Sequence, residues 1–220
     1  MGKLIVLEGL GGSGKATQTA LLAKHLTEKG LLVRQVSFPD YKSNSSALVQ
    51  MYLVGDFGSR PDDVNAYAAA SFYAVDRFAS WRTQWGGFYR EGGVVVADRY
   101  TTSNYIHQSA KLPEAERAAF VEWLDDYEYN KLGIPRPDKV IYLDVEPQVS
   151  QELLLARYAG DADRKDIHES DIAYLQQCRS AALWCVEHLG WQRIVCSGEG
   201  RMRPVMDIAR DVSELVKETI

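Results

Sequence analysis

The sequence predicts an α/β fold in which a five-stranded parallel sheet is flanked by helices. Three observations lead to this prediction. Short apolar runs alternate with longer helical stretches along the chain. A glycine-rich turn joins the first apolar run to the first helix. Candidate residues for ligand chemistry follow the first three apolar runs, and parallel sheets bind ligands where their strands end.

The strands are predicted from the apolar runs and the helices from the stretches between them. The predicted strands are Lys3–Glu8, Leu32–Phe38, Val94–Asp98, Lys139–Asp144 and Gln192–Cys196. The predicted helices are Ala16–Lys29, Ser46–Leu53, Asp62–Arg90, Glu114–Tyr129, Gln148–Arg157, Glu169–His188 and Val205–Lys217. Such alternation places helices on both faces of the sheet. We expect residues 1–220 to form a single domain.

Composition and charge limit the classes of partner. The formal net charge of -5 gives no general attraction to nucleic acid or to a membrane surface, so any anion site must be local. The chain has three cysteines without zinc-site spacing, and Cys178 and Cys185 are expected on one buried helix face. Neither a signal peptide nor a membrane-length apolar run is visible, so we expect a cytoplasmic protein with no membrane partner.

The turn after the first strand has P-loop spacing, Gly9-x-x-x-x-Gly14-Lys15. Glycines let backbone N–H groups converge on phosphate oxygens, and the following helix adds its positive N-terminal end. These features predict a P-loop NTPase type of fold. The candidate ATP-binding residues are Gly9, Leu10, Gly11, Gly12, Ser13, Gly14, Lys15, Ala16 and Thr17. Ala16 stands where a magnesium-binding Ser or Thr is usual, and Thr17 comes one position late.

An acid and a base end the third strand side by side. Asp98 at a strand end facing a P-loop is suited to hold Mg²⁺, directly or through water. Arg99 is suited to bind a phosphate with two parallel hydrogen bonds. The alternative is a structural Asp–Arg pair at the end of the strand.

The predicted helix Asp62–Arg90 places Tyr73 and Arg77 on one face. An aromatic ring and a guanidinium together are suited to a nucleobase, because the ring stacks and the guanidinium binds a carbonyl. The alternative is an aromatic core stripe with a salt-bridged arginine.

A small, polar, basic stretch at Arg157–Lys165 predicts a mobile lid over about residues 157–167. Arg157, Arg164 and Lys165 would meet the charge that builds up during phosphoryl transfer when the lid closes. The alternative is a loop of solvated charges.

Taken together, these residues resemble the thymidylate kinase family along nearly the whole chain. The resemblance rests on Glu8 before the P-loop, Phe38-Pro39-x-Tyr41, Tyr73–Arg77, Asp98-Arg99-Tyr100-x-x-Ser103-Asn104, Asn130–Asp138, Tyr142–Val145 and Asp166-Ile167-His168-Glu169. It implies an enzyme that transfers the γ-phosphoryl group of ATP to dTMP, with Mg²⁺, giving dTDP and ADP for dTTP biosynthesis. It also implies a homodimer formed through helix packing, for which Asp62–Arg90 is a candidate face unless its aromatic residues fill the core.

The resemblance also assigns roles to individual residues. Lys15 and the P-loop amides hold the ATP phosphates, and Asp98 helps to place Mg²⁺. Arg157 and Arg164 correspond to the lid arginines of the family. The implied catalytic residues are Lys15, Asp98, Arg99, Arg157 and Arg164. The implied dTMP-binding residues are Tyr41 and Arg99 near the phosphate, Tyr73, Arg77, Asn104 and Gln108 around thymine, and Glu169 near the sugar or base.

Two P-loop residues depart from the family pattern. Gly11 stands where the family usually has an aspartate, and Ala16 stands where it has Ser or Thr. Both changes remove polar groups that organise metal and acceptor, so we expect ATP binding to persist with slower or less sugar-selective turnover. Two alternatives follow, a related kinase with another acceptor and a catalytically weakened nucleotide-binding homologue. From the sequence alone, Gly11→Asp is expected to raise kcat/KM for dTMP.

Overall fold

The computed structural model describes residues 1–157 and 166–220, and its centre is a five-stranded parallel sheet. The strands are β1 Lys3–Glu8, β2 Val33–Ser37, β3 Val94–Asp98, β4 Lys139–Asp144 and β5 Gln192–Val195. Their order across the sheet is β2-β3-β1-β4-β5, with parallel pairing at every step. The predicted α/β fold is therefore confirmed, and β2 and β5 are slightly shorter than predicted.

Helices occupy most of the chain between the strands. They are α1 Lys15–Glu28, α2 Ala47–Val54, α3 Ala66–Ser80, α4 Gly86–Arg90, α5 Thr102–His107, α6 Arg117–Asp125, α7 Pro147–Arg157, α8 Ile172–Leu189 and α9 Val205–Val216. The short helix α5 and a small hairpin, Ser197–Gly198 with Arg201–Met202, were not predicted. Within the described ranges, no helix is both long and apolar enough to cross a membrane.

Capping residues and π-helical turns account for the differences from the predicted helices. The long helix starts at α3 rather than at Asp62, because Asn65 Oδ1 caps it by accepting a hydrogen bond from the Ala68 amide at 2.9 Å. A π-helical turn, Trp81–Trp85, then separates α3 from α4, and the Gly86 amide donates back to the Trp81 carbonyl. A second π-helical turn, Asp126–Lys131, follows α6. Similarly, Asp171 caps α8 and delays its start beyond the predicted Glu169.

Alternate side chains of β1 pack on opposite faces of the sheet. Ile5 and Leu7 pack in one cluster with residues of α1 and α9. Leu4 and Val6 pack on the other face with Trp81 and Trp85. Full burial of each such aliphatic side chain contributes roughly 1.5–3 kcal/mol. Packing on both faces of the sheet therefore fixes β1, and with it the start of the glycine-rich turn that follows Glu8.

Helix α8 carries Cys178 and Cys185, both fully buried, which confirms that they share a buried face. All three cysteines of the chain are free. They pack as small apolar residues rather than as a redox pair.

Candidate active site

The P-loop leaves β1 at Glu8 and enters α1 at Lys15. Gly12 has a φ of 72°, and a Cβ there would lie 2.7 Å from the Ser150 carbonyl oxygen. Only glycine satisfies both restraints. The loop is also tied to α7, because the Ser150 hydroxyl donates a hydrogen bond to the Gly11 carbonyl. The packing of α7 therefore helps to set the shape of the loop.

The predicted ATP-binding residues divide between the wall of one cavity and the protein interior. The residues that line this central cavity are Gly11, Gly12, Ser13, Gly14, Lys15 and Ala16. Leu10 is buried in the core, and Thr17 is exposed outside the cavity lining. Gly9 packs closely within the loop, since a Cβ there would lie 2.5 Å from Ser13 Oγ. Thr17, which comes one position later than the usual magnesium-binding Ser or Thr, therefore does not line the cavity.

Lys15 points its ammonium group back over the P-loop. Its Nζ donates to the Leu10 carbonyl at 2.8 Å and to Ser13 Oγ at 3.4 Å. The side chain is buried yet lines the cavity. An ammonium group held at a glycine-rich loop on a cavity wall is suited to bind phosphate oxygens.

Glu8 joins the P-loop to the turn that follows β3. Its fully buried carboxylate accepts hydrogen bonds from the Tyr100 amide, from Thr102 Oγ1 at 2.6 Å and from Ser103 Oγ at 2.8 Å. Burial raises the pKa of Glu8, against the attraction of Arg99. This acid was part of the sequence resemblance, but its linking role was not predicted.

Asp98 and Arg99 line the same cavity as the P-loop. They are not the structural pair that was the alternative, because Arg99 Nη1 binds Ser103 Oγ at 3.3 Å and His107 Nε2 at 3.0 Å. Arg99 has a φ of 68°, a left-handed conformation that is strained for a long side chain. Such strain clusters at functional sites.

Asp98 has the features of a magnesium ligand. Its Oδ1 is buried and has no hydrogen-bond partner in the part of the chain that the structure describes. In residues 1–157 and 166–220, no group of three or more His, Cys, Asp or Glu side chains is placed to hold a metal. One carboxylate oxygen facing a phosphate site fits Mg²⁺, which commonly takes its other ligands from phosphates and water.

All the residues that the resemblance implied for dTMP line the same cavity. They are Tyr41, Tyr73, Arg77, Arg99, Asn104, Gln108 and Glu169. Gln108 is fully buried, and neither of its amide atoms has a hydrogen-bond partner within the described ranges. An unpaired buried amide beside a cavity is suited to a polar ligand edge. The roles of these residues remain predictions, but the fold brings them together.

Arg77 combines the two interpretations that the sequence left open. It lines the cavity, and it is also salt-bridged, because its Nε and Nη2 donate to Glu128 at 2.7 and 2.5 Å. Its Nη1 donates to the Tyr100 carbonyl at 3.3 Å. Glu128 comes from the π-helical turn after α6 and also accepts from Asn104 Nδ2 at 3.4 Å. No motif in the sequence pointed to Glu128.

Three further residues of the cavity were given no role from the sequence. Asp166 and His168 belong to a motif of the resemblance, whereas His107 had no signal at all. Burial, followed by the charge of Glu169, raises the pKa of Asp166 to about 6. Burial lowers the pKa of His168 to about 3. The wall of the cavity therefore carries an acid and a base whose protonation differs from that of exposed side chains.

The predicted lid falls largely outside the described residues. Arg164 and Lys165 lie there, so the structure gives no account of them. Arg157 is the last residue of α7, the helix whose Ser150 contacts the P-loop. The predicted lid begins at this residue. Their predicted roles stay predictions.

Comparison with known proteins identifies the family. A family model described as thymidylate kinase matches residues 7–200. The chain belongs to the thymidylate kinase family. It is 32% identical over 190 residues to a thymidylate kinase of Mycobacterium tuberculosis, covering 86% of this chain and 87% of that protein. It is 31% identical over 217 residues to a probable thymidylate kinase of Staphylothermus marinus, covering 99% and 96%. A Caenorhabditis elegans thymidylate kinase is 30% identical over 161 residues, covering 69% and 66%. The thymidylate kinase resemblance and the α/β fold predicted from the sequence are thus both confirmed.

Proposed function

We propose that this thymidylate kinase family member transfers the γ-phosphoryl group of ATP to dTMP and releases dTDP and ADP. One observation carries the proposal. The P-loop, the Asp98–Arg99 turn and the base-side residues Tyr73 and Asn104 all line a single cavity. Donor phosphate and acceptor therefore meet in one space, as an in-line transfer requires.

The donor side is the P-loop. Its backbone amides and Lys15 neutralise the outer phosphates of ATP, and the N-terminus of α1 adds a partial positive charge. Lys15 exchanges its internal contacts with Leu10 and Ser13 for phosphate oxygens. The ammonium group is therefore already next to the loop that would receive the phosphates.

The acceptor side consists of Arg99 and the pocket beyond it. Arg99 binds the dTMP phosphate, and Tyr41 lies near it at the cavity wall. Tyr73 stacks on thymine, while Arg77, Asn104 and Gln108 face its polar edge. Glu128 fixes the Arg77 guanidinium by a bidentate salt bridge, so the pocket is set before the nucleotide binds.

Asp98 would hold Mg²⁺ with its unpartnered oxygen. The ion, when bound, neutralises charge on the phosphates. The acid itself stands at the end of β3, in the lining of the cavity that donor and acceptor would share. Arg157 and Arg164 of the lid segment are proposed to stabilise the transferred group and to exclude water.

The proposal includes a homodimer and a cytoplasmic location. Trp81 and Trp85 of the predicted dimer helix are buried within the protomer, as the core alternative required. Exposed apolar side chains nevertheless lie on α2 and α3, namely Leu48, Met51, Val54, Tyr67, Val75 and Phe78. Such residues support an interface between copies of the chain. The three free cysteines are typical of a reducing compartment.

A coupled assay of ADP release tests the function. The wild-type chain is assayed with ATP, Mg²⁺ and dTMP, dUMP, UMP, CMP or dGMP, and dTMP is expected to give the highest kcat/KM. Arg99→Gln is expected to lower kcat/KM for dTMP about a hundredfold, by loss of a charged phosphate contact. Arg210→Gln is the matched control, because this exposed arginine pairs with Asp207 on the surface of α9.

The assay also separates the alternatives. A higher kcat/KM with another acceptor indicates a kinase of different specificity. ATP binding without ADP release with any acceptor indicates a nucleotide-binding homologue that has lost catalysis. Either result overturns the proposal.

A further inference from the structure

His107 is a buried histidine at the wall of the central cavity, and no motif explains it. It is the last residue of α5, it is 8% exposed, and its ring faces Arg99. Arg99 Nη1 lies 3.0 Å from His107 Nε2. On the other side of the ring, His107 Nδ1 lies 3.4 Å from Cys178 Sγ.

These two contacts determine the protonation of the imidazole. A guanidinium only donates hydrogen bonds, so Arg99 requires an acceptor at Nε2. The proton of a neutral ring must then be on Nδ1, where it points at the Cys178 sulfur. Burial, followed by the charge of Arg99, lowers the pKa of His107 well below its usual value. Burial raises the pKa of Cys178 to about 12, so the sulfur stays a thiol.

The surroundings hold the ring in this orientation. The Tyr174 hydroxyl donates to the His107 carbonyl at 2.6 Å, which fixes the end of α5 against α8. The ring of His168 stacks on His107 with centroids 5.6 Å apart and planes 15° apart. The charged and titratable groups that act on the ring are Arg99, Lys15, Lys111, His168, Cys178 and Tyr174. The cations among them disfavour a charged imidazole, so a neutral acceptor is the consistent state.

The same contacts divide the Arg99 guanidinium into two sides. Nη1 is used by His107 and by Ser103 Oγ, which is itself bonded to Glu8. Within the described ranges, the Nε–Nη2 edge of Arg99 makes no hydrogen bond. That edge has the two parallel donors that a phosphate accepts. The protein therefore holds one side of the guanidinium and leaves the other to a ligand.

We propose that His107 is a positioning residue for the acceptor phosphate, and that its neutral, Nδ1-protonated ring orients the Arg99 guanidinium toward dTMP. This inference rests on the proposed function for the identity of the acceptor. The orientation of Arg99 by the ring is a property of the chain itself. His107 does not touch the reacting atoms and acts through Arg99.

Steady-state kinetics of two His107 variants test the proposal. His107→Phe keeps a ring but removes the acceptor, and it is expected to raise KM for dTMP about tenfold, with KM for ATP unchanged within twofold. His107→Gln places an amide oxygen near the former Nε2 position, and it is expected to restore KM for dTMP to within threefold of wild type. His188→Phe is the matched control, because His188 is exposed at the end of α8. Thermal unfolding confirms that each variant is folded.

Nitrogen-15 NMR of the wild-type imidazole gives a readout that does not depend on turnover. His107 is expected to show the neutral, Nδ1-protonated tautomer between pH 5.5 and 8, and this signal remains available if His107→Phe fails to fold. An Nε2-protonated ring or a charged ring overturns the proposal. So does an unchanged KM for dTMP in His107→Phe, an equal loss in the Phe and Gln variants, or a parallel rise in KM for ATP.

If wild type phosphorylates no acceptor, the proposed function fails by itself. The tautomer, together with titration of inorganic phosphate against wild type and His107→Phe, then still decides the role of His107. Weaker phosphate binding by the Phe variant supports the role, and equal binding overturns it.

Discussion

Gly11→Asp introduces the acid that the family usually has in the P-loop, and the structure reverses the effect expected from the sequence. A Cβ on Gly11 would lie 3.1 Å from Leu154 Cδ1 and 3.2 Å from Glu169 Oε1. Both contacts are tighter than ordinary van der Waals separation, so the neighbours must move. The backbone at Gly11 does not require glycine, because its φ is outside the left-handed region. The obstacle is therefore the side chains of Leu154 and Glu169, not the loop conformation.

The size of the expected effect on kcat/KM depends on charge repulsion as well as on steric contact. Two carboxylates about 4 Å apart repel by roughly 4 kcal/mol at an effective dielectric constant of about 20. Glu169 is only half-buried, so much of this repulsion is relieved by turning toward solvent. Glu169 already helps to raise the pKa of Asp166 to about 6, so the neighbourhood is rich in negative charge. We expect Gly11→Asp to lower kcat/KM for dTMP about tenfold, or about 1.4 kcal/mol.

A double-mutant cycle provides the assay. Gly11→Asp and Glu169→Gln are made singly and together, and kcat/KM for dTMP is measured for all four proteins. The glutamine keeps the shape of Glu169 and removes its charge. In that background, the aspartate is expected to cost less than threefold. Gly11→Asn is the control, because it has nearly the same size as aspartate without the charge and so measures the steric part alone.

A rise in kcat/KM for the single variant Gly11→Asp would refute this reasoning. So would an interaction energy of zero in the cycle, since Gly11 and Glu169 would then act independently. Either result would mean that Gly11 affects turnover through the P-loop alone, as the sequence first indicated.

Three further predictions concern the backbone, an ion pair and a buried histidine. Arg99→Gly and Arg99→Ala both remove the guanidinium, but glycine relieves the left-handed φ of 68°, so it is expected to be the more stable variant by about 1 kcal/mol in urea unfolding; equal stabilities would contradict backbone strain. Glu128→Ala leaves the Arg77 charge buried without its partner and is expected to cost about 3–5 kcal/mol. The control Glu114→Ala breaks a pair whose acid is 71% exposed and should cost less than about 1 kcal/mol; similar losses would contradict the difference in burial. The pKa of His168 is lowered to about 3 in the folded protein, from an unfolded value near 6.5. The free energy of unfolding is therefore unaffected by this histidine above pH 6.5, and it falls by about 1.4 kcal/mol for each pH unit below 6.5. His168→Gln is therefore expected to lose about 3 kcal/mol less than wild type between pH 7.5 and 4.5 in urea unfolding, and parallel curves for the two proteins would count against this pKa.

The central strands of the sheet could be predicted from the sequence because they are mostly buried on both faces and appear as continuous apolar runs. Val94–Asp98 and Lys139–Asp144 were placed with their observed ends for that reason. Helix ends were less predictable, since they depend on single capping contacts. Asn65 and Asp171 each stop a helix from extending toward its N-terminus, and periodicity carries no information about such contacts.

The candidate site divides in the same way. The place of Lys15, Asp98 and Arg99 at the cavity could be predicted because each stands at or next to a strand end or a helix start. Glu128 and His107 could not, because each meets its partner only through tertiary packing. Arg77 and Glu128 are 51 residues apart in the chain, and a π-helical turn aims Glu128 at the arginine. A sequence pattern specifies neither feature.

Glu8 connects the two halves of the site and changes the significance of the unusual P-loop. The acid ends the strand that leads into the loop, while its oxygens accept hydrogen bonds from Thr102 and Ser103 on the acceptor side. Because the backbone of Glu8 leads into the P-loop and its carboxylate binds the turn that holds Arg99, we expect a shift of the P-loop to be transmitted to that turn. The losses at Gly11 and Ala16 remove polar groups from the loop but leave this connection intact. In the proposed function, the alignment of donor and acceptor depends on Glu8 and the Asp98–Ser103 turn, and Gly11 and Ala16 change the polar groups of the loop within a site whose geometry is set elsewhere.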